Sequence, residues 1–219
     1  MTADPKTYLA DLSEQLKNPD VNHEPFNIVF HGHSIPCGYT VNRMVRPFIA
    51  YPHLVHRELN TRYPCAVMNA IVTGIGGECS IRGAKRMRNV LGHNPRIVTV
   101  DYGRNDMYFT VAQNKDAWRA IIESVLATGS RALLLTPAID SGTVYYNPED
   151  RQSSDEEIAE MIRSLASEYQ IGCADVYRAF QTRLSLGNQP SDYLSGANHP
   201  NLNGHEVIAR EILRWFPVV

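Results

Sequence analysis

Residues 27–34 read Asn-Ile-Val-Phe-His-Gly-His-Ser, an apolar, β-prone run that turns polar at His31 and reaches a serine two residues past a glycine. Four more runs of this kind follow at 66–72 (AVMNAIV), 96–100 (RIVTV), 132–136 (ALLLT) and, more weakly, 171–176 (IGCADV). Apolarity that continues without alternation marks strands covered on both faces, the habit of parallel sheets. Between the runs the period becomes helical. Trp118, Ile121, Ile122, Val125 and Leu126 fall on one stripe at i, i+3, i+4, i+7 and i+8. A second helix is expected to open at Ser153, with Glu156 as its capping-box partner, and to bury Ile158, Met161, Ile162, Leu165 and Tyr169. A third is expected from Asn203, with Glu206 in the same relation, through Ile208 and Ile212 to about Trp215. Strands alternating with helices over short joints predict an α/β chain: a doubly wound, three-layer α/β/α sandwich around a five-stranded parallel sheet. No repeat or low-complexity linker divides residues 1–219, so one domain is expected, with 1–25 as an N-terminal helical extension.

Composition removes several classes of protein. The 219 residues are 43% apolar with 14 Gly and 13 Pro, ordinary values that exclude a disordered, collagen-like or coiled-coil chain. Lys and Arg (21) nearly balance Asp and Glu (23), for a net charge of −2. The nearest approach to a basic block, Lys85-Arg86-Met87-Arg88, suits the wet face of a helix, so nucleic acid is not an expected partner. The first twenty residues lack a basic start followed by an apolar core, and stretches such as 132–135 are far too short to span a bilayer. A cytoplasmic protein without a membrane partner is expected, or a secreted or periplasmic one if an export signal has been trimmed. Cys37, Cys65, Cys79 and Cys173 lie far apart without a C-x-x-C pair, which predicts reduced, mostly buried thiols.

In doubly wound sheets ligands bind where loops leave the carboxyl ends of the strands. Four such loops carry the chemistry here: His31-Gly32-His33-Ser34-Ile35-Pro36, Thr73-Gly74-Ile75-Gly76-Gly77-Glu78-Cys79-Ser80, Asp101-Tyr102-Gly103-Arg104-Asn105-Asp106 and Asn198-His199-Pro200-Asn201. Singly, the first three have bland readings. Ser34 could cap the next element, the glycines could make a tight turn before the helix that carries Arg86, and Gly103 with Asn105 could form an ordinary turn. His199, on a loop among glycines and prolines, has no packing reason to be there.

Together, in this order and at successive strand ends, the four loops resemble the signature blocks of the SGNH, or GDSL-like, esterase and lipase family, over nearly the whole chain from Asn27 to the last helix. The resemblance implies the flavodoxin-like SGNH hydrolase fold and hydrolysis of a carboxylic ester with neither cofactor nor metal. It makes Ser34 the nucleophile and His199, in His199-Pro200-Asn201 with Gly204-His205 following, the catalytic base. The implied oxyanion donors are the Ser34 N–H, the Gly77 N–H and the Asn105 side chain, with Gly74 the second candidate for its distance from Asn69. Two positions depart from the pattern. His33 stands where the family has an aspartate before the nucleophile, and Gly196 stands where D-x-x-H would put the third triad residue. Asp192 could reach back over Ser195-Gly196, or a backbone carbonyl could orient the ring and leave a Ser34–His199 dyad.

A serine hydroxyl needs a base within hydrogen-bond reach at neutral pH, and an imidazole with an ordinary pKa near 6.5 suits that task. The expected reaction runs through an acyl-Ser34 intermediate. A short acyl group such as acetyl, for instance on a carbohydrate, is preferred because no apolar lid pattern is present. Two other readings stay open. Eight histidines, with His31/His33, His53/His56 and His199/His205 closely spaced, could serve a metal-dependent hydrolase, and the carboxylates missing at His33 and Gly196 could mark an inactive ligand-binding relative. Trp118 is expected in the core and Asp106 as a loop brace. The acidic stretch from Glu149 to Glu157 is expected to be a solvated helix start. The loop 140–150, with Tyr145 and Tyr146, borders a pocket or is a surface excursion. Oligomeric state is left open.

Overall fold

Along β1 (Phe26–Gly32) the side chains of Phe26, Ile28 and Phe30 enter one apolar core and that of Val29 enters another. This is the two-residue period of a strand with both faces buried, and it explains the uninterrupted apolar run. The computed structural model describes residues 2–18, 25–142 and 148–217, so Tyr145 and Tyr146 lie outside the described residues. The elements in chain order are α1 (Ala10–Lys17), β1, α2 (Tyr51–Arg62), β2 (Met68–Val72), α3 (Ser80–Ala84), α4 (Met87–Leu91), β3 (Ile97–Asp101), α5 (Gly103–Asp106) and α6 (Val111–Leu126). There follow β4 (Arg131–Leu135), α7 (Asp155–Glu168), β5 (Gly172–Ala174), α8 (Val176–Ser185) and α9 (Leu202–Leu213).

The five strands are all parallel, in the order β2-β1-β3-β4-β5. Ile97, Leu133 and Leu135 join Phe26, Ile28 and Phe30 against α1, α2, α8 and α9. Val98, Val100, Ala132 and Leu134 join Val29 against α4, α6 and α7. Burying each such side chain contributes about 1.5–3 kcal/mol, so the two cores, one per face, hold the layers together. Leu9, Leu12 and Leu16 around α1 belong to the first core, beside Val207, Ile208 and Ile212 of α9. Because β1 has β2 on one side and β3 on the other, the chain reverses direction across the sheet at β1/β3, where a crevice opens beyond the strand ends. The register there pairs Gly32 with Asp101, which brings the first and third motif loops side by side.

Several local expectations shift for identifiable reasons. The capping box of α7 is Ser154 with Glu157, one residue later than Ser153 with Glu156, because the Ser153 hydroxyl is buried and donates to the Phe109 carbonyl at 2.9 Å. The cap of α9 is Asn201, which accepts the Gly204 N–H at 3.1 Å, rather than Asn203, whose amide donates to the Asp192 carbonyl. Arg86 sits at the joint between α3 and α4 instead of inside one helix. β2 is an edge strand and its outer residues are only partly covered. Trp118 is fully buried, as its stripe predicts. The thiols are free, but only Cys79 is buried; Cys37 and Cys173 are half-buried and Cys65 is exposed. The acidic stretch is not wholly solvated. Asp155 pairs with the buried Arg104 at 2.8 Å, and Arg104 also holds Asp140 at 2.7 Å, which ties the loop after β3 to the start of α7. Among the described residues no helix is long and apolar enough to cross a membrane.

Candidate active site

The chain leaves β1 at Gly32 and folds at once into a tight turn, in which the Gly38 N–H donates to the Ile35 carbonyl and the Tyr39 N–H to the Ser34 carbonyl. Ser34 is left half-exposed at the head of this turn. At the other end of the chain an isolated bridge between Leu194 and Pro200 closes a small loop. Inside it, the Ser195 N–H and hydroxyl both donate to the His199 carbonyl, at 2.9 and 3.1 Å. The two loops meet across the sheet crevice, with Ser34 Oγ 2.9 Å from His199 Nε2. The Tyr39 ring stacks on the imidazole, with centroids 6.1 Å apart and planes 27° from parallel.

His199 Nε2 is thus engaged, but no group among the described residues bonds Nδ1. Asp192 does not reach it: its carboxylate accepts the Gln189 N–H at 2.8 Å within its own turn, and its carbonyl accepts from Asn201 and Asn203. Nor does a backbone carbonyl of the described residues. Burial, with a smaller contribution from neighbouring His33, lowers the His199 pKa from 6.5 to about 4. A base must be neutral to accept a proton, so kcat/KM of the free enzyme should rise with pH through that lowered value. The acid limb of a pH–rate profile is expected at about pH 4, and a midpoint near 6.5 would contradict this placement of the ring.

The second loop approaches Ser34 from β2. The Glu78 N–H donates to the Ile75 carbonyl at 3.1 Å, closing a turn with Gly77 at its third position and a φ of 74° there. That left-handed value suits glycine. Gly76 and Gly77 line the cleft over Ser34. Gly74 answers a different need. A Cβ there would lie 2.5 Å from Cys37 Sγ and 2.6 Å from the His33 carbonyl oxygen, so its small size lets the β2 loop pack against the serine turn. Gly74→Ala is expected to destabilise the fold by about 1–3 kcal/mol, read as a lowered urea midpoint. An unchanged midpoint would refute the packing role.

The third loop supplies Asn105 from α5. Its Nδ2 donates to the Glu78 carbonyl at 2.9 Å, which fixes the amide against the glycine loop and leaves its second N–H free for the cleft. Asp106 is the brace that its position suggests, accepting the Ser80 N–H at 2.8 Å and Trp118 Nε1–H at 2.6 Å. Burial pushes its carboxyl up to about 6. Sequence reading missed a buried network under the glycine loop. Arg86 Nε donates to both Glu78 oxygens at 2.9 and 2.8 Å, and the Tyr102 hydroxyl donates to Glu78 at 2.9 Å and meets His31 Nε2 at 3.1 Å. It also missed Tyr39, Thr40, Asn42 and Arg43, which with Asn198 complete a cleft of about 720 Å³ around Ser34, Asn105 and His199. Irregular loop residues carry no periodic signal, so only the acidic Glu78 and basic Arg86 beside the glycines could have hinted at the network.

The closely spaced histidines serve separate partners. His31 serves Tyr102 and Thr73, His56 Nε2 lies 3.2 Å from the Met68 carbonyl, His53 packs edge-on to Phe48, and His205 caps α2 through the Tyr51 N–H. Among the described residues no three His, Cys, Asp or Glu side chains come together to hold a metal.

Comparison with known proteins identifies the family and the fold. The sequence model of the GDSL-like lipase/acylhydrolase family matches residues 30–207. A catalytic mutant of an acetylxylan esterase from Geobacillus stearothermophilus superposes with a TM-score of 0.72 at 20% identity, covering 87% of this chain and 94% of that one. A lipase/acylhydrolase from Enterococcus faecalis gives 0.70 at 23%, covering 86% and 94%. An alpha/beta hydrolase from the metagenome of Lake Arreo, Spain, gives 0.72 at 21%, covering 89% and 97%. Against curated proteins the sequence finds no match. At these identities the structures establish a shared fold, and the family match does the rest. The chain belongs to the GDSL-like lipase/acylhydrolase family and is an ester-bond hydrolase.

Proposed function

We propose that this protein is a serine esterase in which Ser34 is the nucleophile and His199 the base. The observation that carries the reading is the 2.9 Å approach of Ser34 Oγ to His199 Nε2 at the mouth of a cleft that Gly77 and Asn105 also line. His199 takes the hydroxyl proton as Oγ bonds to the ester carbonyl carbon. The carbonyl oxygen becomes an oxyanion, held by the N–H groups of Ser34 and Gly77 and the Asn105 amide. The intermediate expels the alcohol oxygen, which receives the proton from His199, and acyl-Ser34 remains. Water then loses a proton to His199 and attacks the acyl carbon, and the second tetrahedral intermediate releases the acid as the C–Oγ bond breaks and His199 returns the proton to Ser34 Oγ. A positioned base of this kind contributes roughly 10²–10⁴ in rate.

The substrate is a short acyl ester, with acetyl on a carbohydrate the best fit. The cleft is bordered by Thr40, Asn42, Arg43 and Asn198 in place of a long apolar trough, and Tyr39 offers an aromatic edge. Asn198 Oδ1 is buried without a partner among the described residues, an acceptor that a sugar hydroxyl would satisfy. One structure sharing the fold is an acetylxylan esterase. The test is a series of p-nitrophenyl esters from acetate to octanoate beside acetylated xylooligosaccharides. The highest kcat/KM is expected for acetate, with measurable deacetylation of the sugars. Preference for octanoate would overturn the short-acyl assignment, and a flat profile at background would overturn the esterase reading.

A further inference from the structure

A second imidazole lies directly behind the Ser34 hydroxyl, and the reaction just described gives it no task. His33 is fully buried. Its Nδ1 accepts the Ile35 N–H at 3.3 Å and lies 3.5 Å from Ser34 Oγ. Its Nε2 faces Asp101 Oδ1 at 3.5 Å and makes no hydrogen bond among the described residues. The other oxygen of Asp101 accepts the Tyr51 hydroxyl at 3.1 Å. The N–H of Tyr51 donates in turn to His205 Nδ1 at 3.2 Å. Asp101 and Tyr51 are buried as well, and so is His205. These four residues come from the serine turn, the end of β3, the start of α2 and the first turn of α9. The last of these elements begins only a few residues after His199.

We propose that the buried run His33–Asp101–Tyr51–His205 is a positioning brace that sets the Ser34 hydroxyl against His199, doing from the serine side what the carboxylate missing at Gly196 would do from the histidine side. The inference rests on the acyl-Ser34 reading above. Ser34 and His199 are separated by 165 positions in the chain and touch through one hydrogen bond. With nothing among the described residues at His199 Nδ1, that bond depends on where the two loops are held. The brace holds both. Asp101 fixes the His33 ring, the ring fixes the backbone immediately after Ser34, and Tyr51 carries the constraint to the helix that follows the His199 loop. Asp101, Tyr51 and His205 touch no reacting atom and act through His33, whose Nδ1 meets Ser34 Oγ at 3.5 Å, so these three are positioning residues.

His33→Asn keeps a side-chain acceptor for the Ile35 N–H but is too short to reach Asp101, Asp101→Asn is isosteric, and Tyr51→Phe deletes one hydroxyl. Each is assayed for kcat and KM on p-nitrophenyl acetate, for the rate at which a fluorophosphonate labels Ser34, and for its urea midpoint. A displacement of about 1 Å at a reacting group costs on the order of 10²-fold, so kcat and labelling should both fall about 10- to 100-fold in His33→Asn and Asp101→Asn, with KM within about twofold. The double variant should fall no further than either single one, because the same link is broken once. Folded variants that keep wild-type kcat and labelling, or losses that multiply in the double variant, overturn the brace. If His33→Asn or Asp101→Asn does not fold, Tyr51→Phe decides: reduced labelling supports the brace and wild-type labelling overturns it. A wild-type enzyme that is not labelled at Ser34 overturns the acyl-serine reading and the brace together, whereas labelled wild type with unaffected variants overturns the brace alone.

Discussion

Ser34→Ala and His199→Ala are each expected to lower kcat by a factor on the order of 10⁴–10⁶, the range seen when the nucleophile or base of a serine hydrolase is removed. The loss is large because the hydroxyl and the imidazole act in one step, so removing either leaves the other without a task. For the same reason the double variant should be no worse than the single ones. Neither change should unfold the protein. Both side chains are only partly buried and lie outside the two apolar cores. The measurement is turnover of p-nitrophenyl acetate together with the mass of intact protein after fluorophosphonate treatment. The wild type should gain one adduct on Ser34, Ser34→Ala none, and His199→Ala one only very slowly. Full activity in either variant would remove the assignment, whatever the 2.9 Å contact suggests.

Asn105→Ala should have the next largest effect, a fall in kcat of about 10²–10³, equivalent to roughly 3–4 kcal/mol of transition-state stabilisation. Its amide meets the oxygen mainly once charge has developed there, so KM should change little. The same substitution also removes the hydrogen bond from Nδ2 to the Glu78 carbonyl, worth about 1 kcal/mol of stability. A small drop in the urea midpoint is therefore expected beside the kinetic loss. If KM rose while kcat stayed constant, Asn105 would be a substrate-binding group and the oxyanion would have to be held by backbone donors alone.

How legible the protein was depends on the kind of signal each residue carried. The runs at Ile28, Val98 and Leu133 became central strands because short stretches of consecutive apolar residues suit strands covered on both faces. Ser34 and His199 could be named because the four loops, in order, resemble the family's signature blocks, and the structure brings the two side chains together. The helix starts were less secure. Ser153 and Ser154 are both acceptable caps by type, and so are Asn201 and Asn203. What separated the serines was Phe109 occupying one hydroxyl from 44 residues away, whereas both asparagine amides donate to Asp192 and only Asn201 Oδ1 accepts the Gly204 N–H.

The amino-acid sequence by itself determined the layered α/β architecture, the four loops that matter and the chemical type of each candidate group, because periodicity and side-chain chemistry are local properties written in consecutive residues. Tertiary structure alone decided that no carboxylate of the described residues meets His199 Nδ1, that Gly74 serves packing while Gly77 faces the cleft, and that His33 faces Asp101. Those outcomes depend on distances between atoms whose residues lie tens to more than a hundred positions apart, and such distances are set only when two cores close on opposite faces of one sheet.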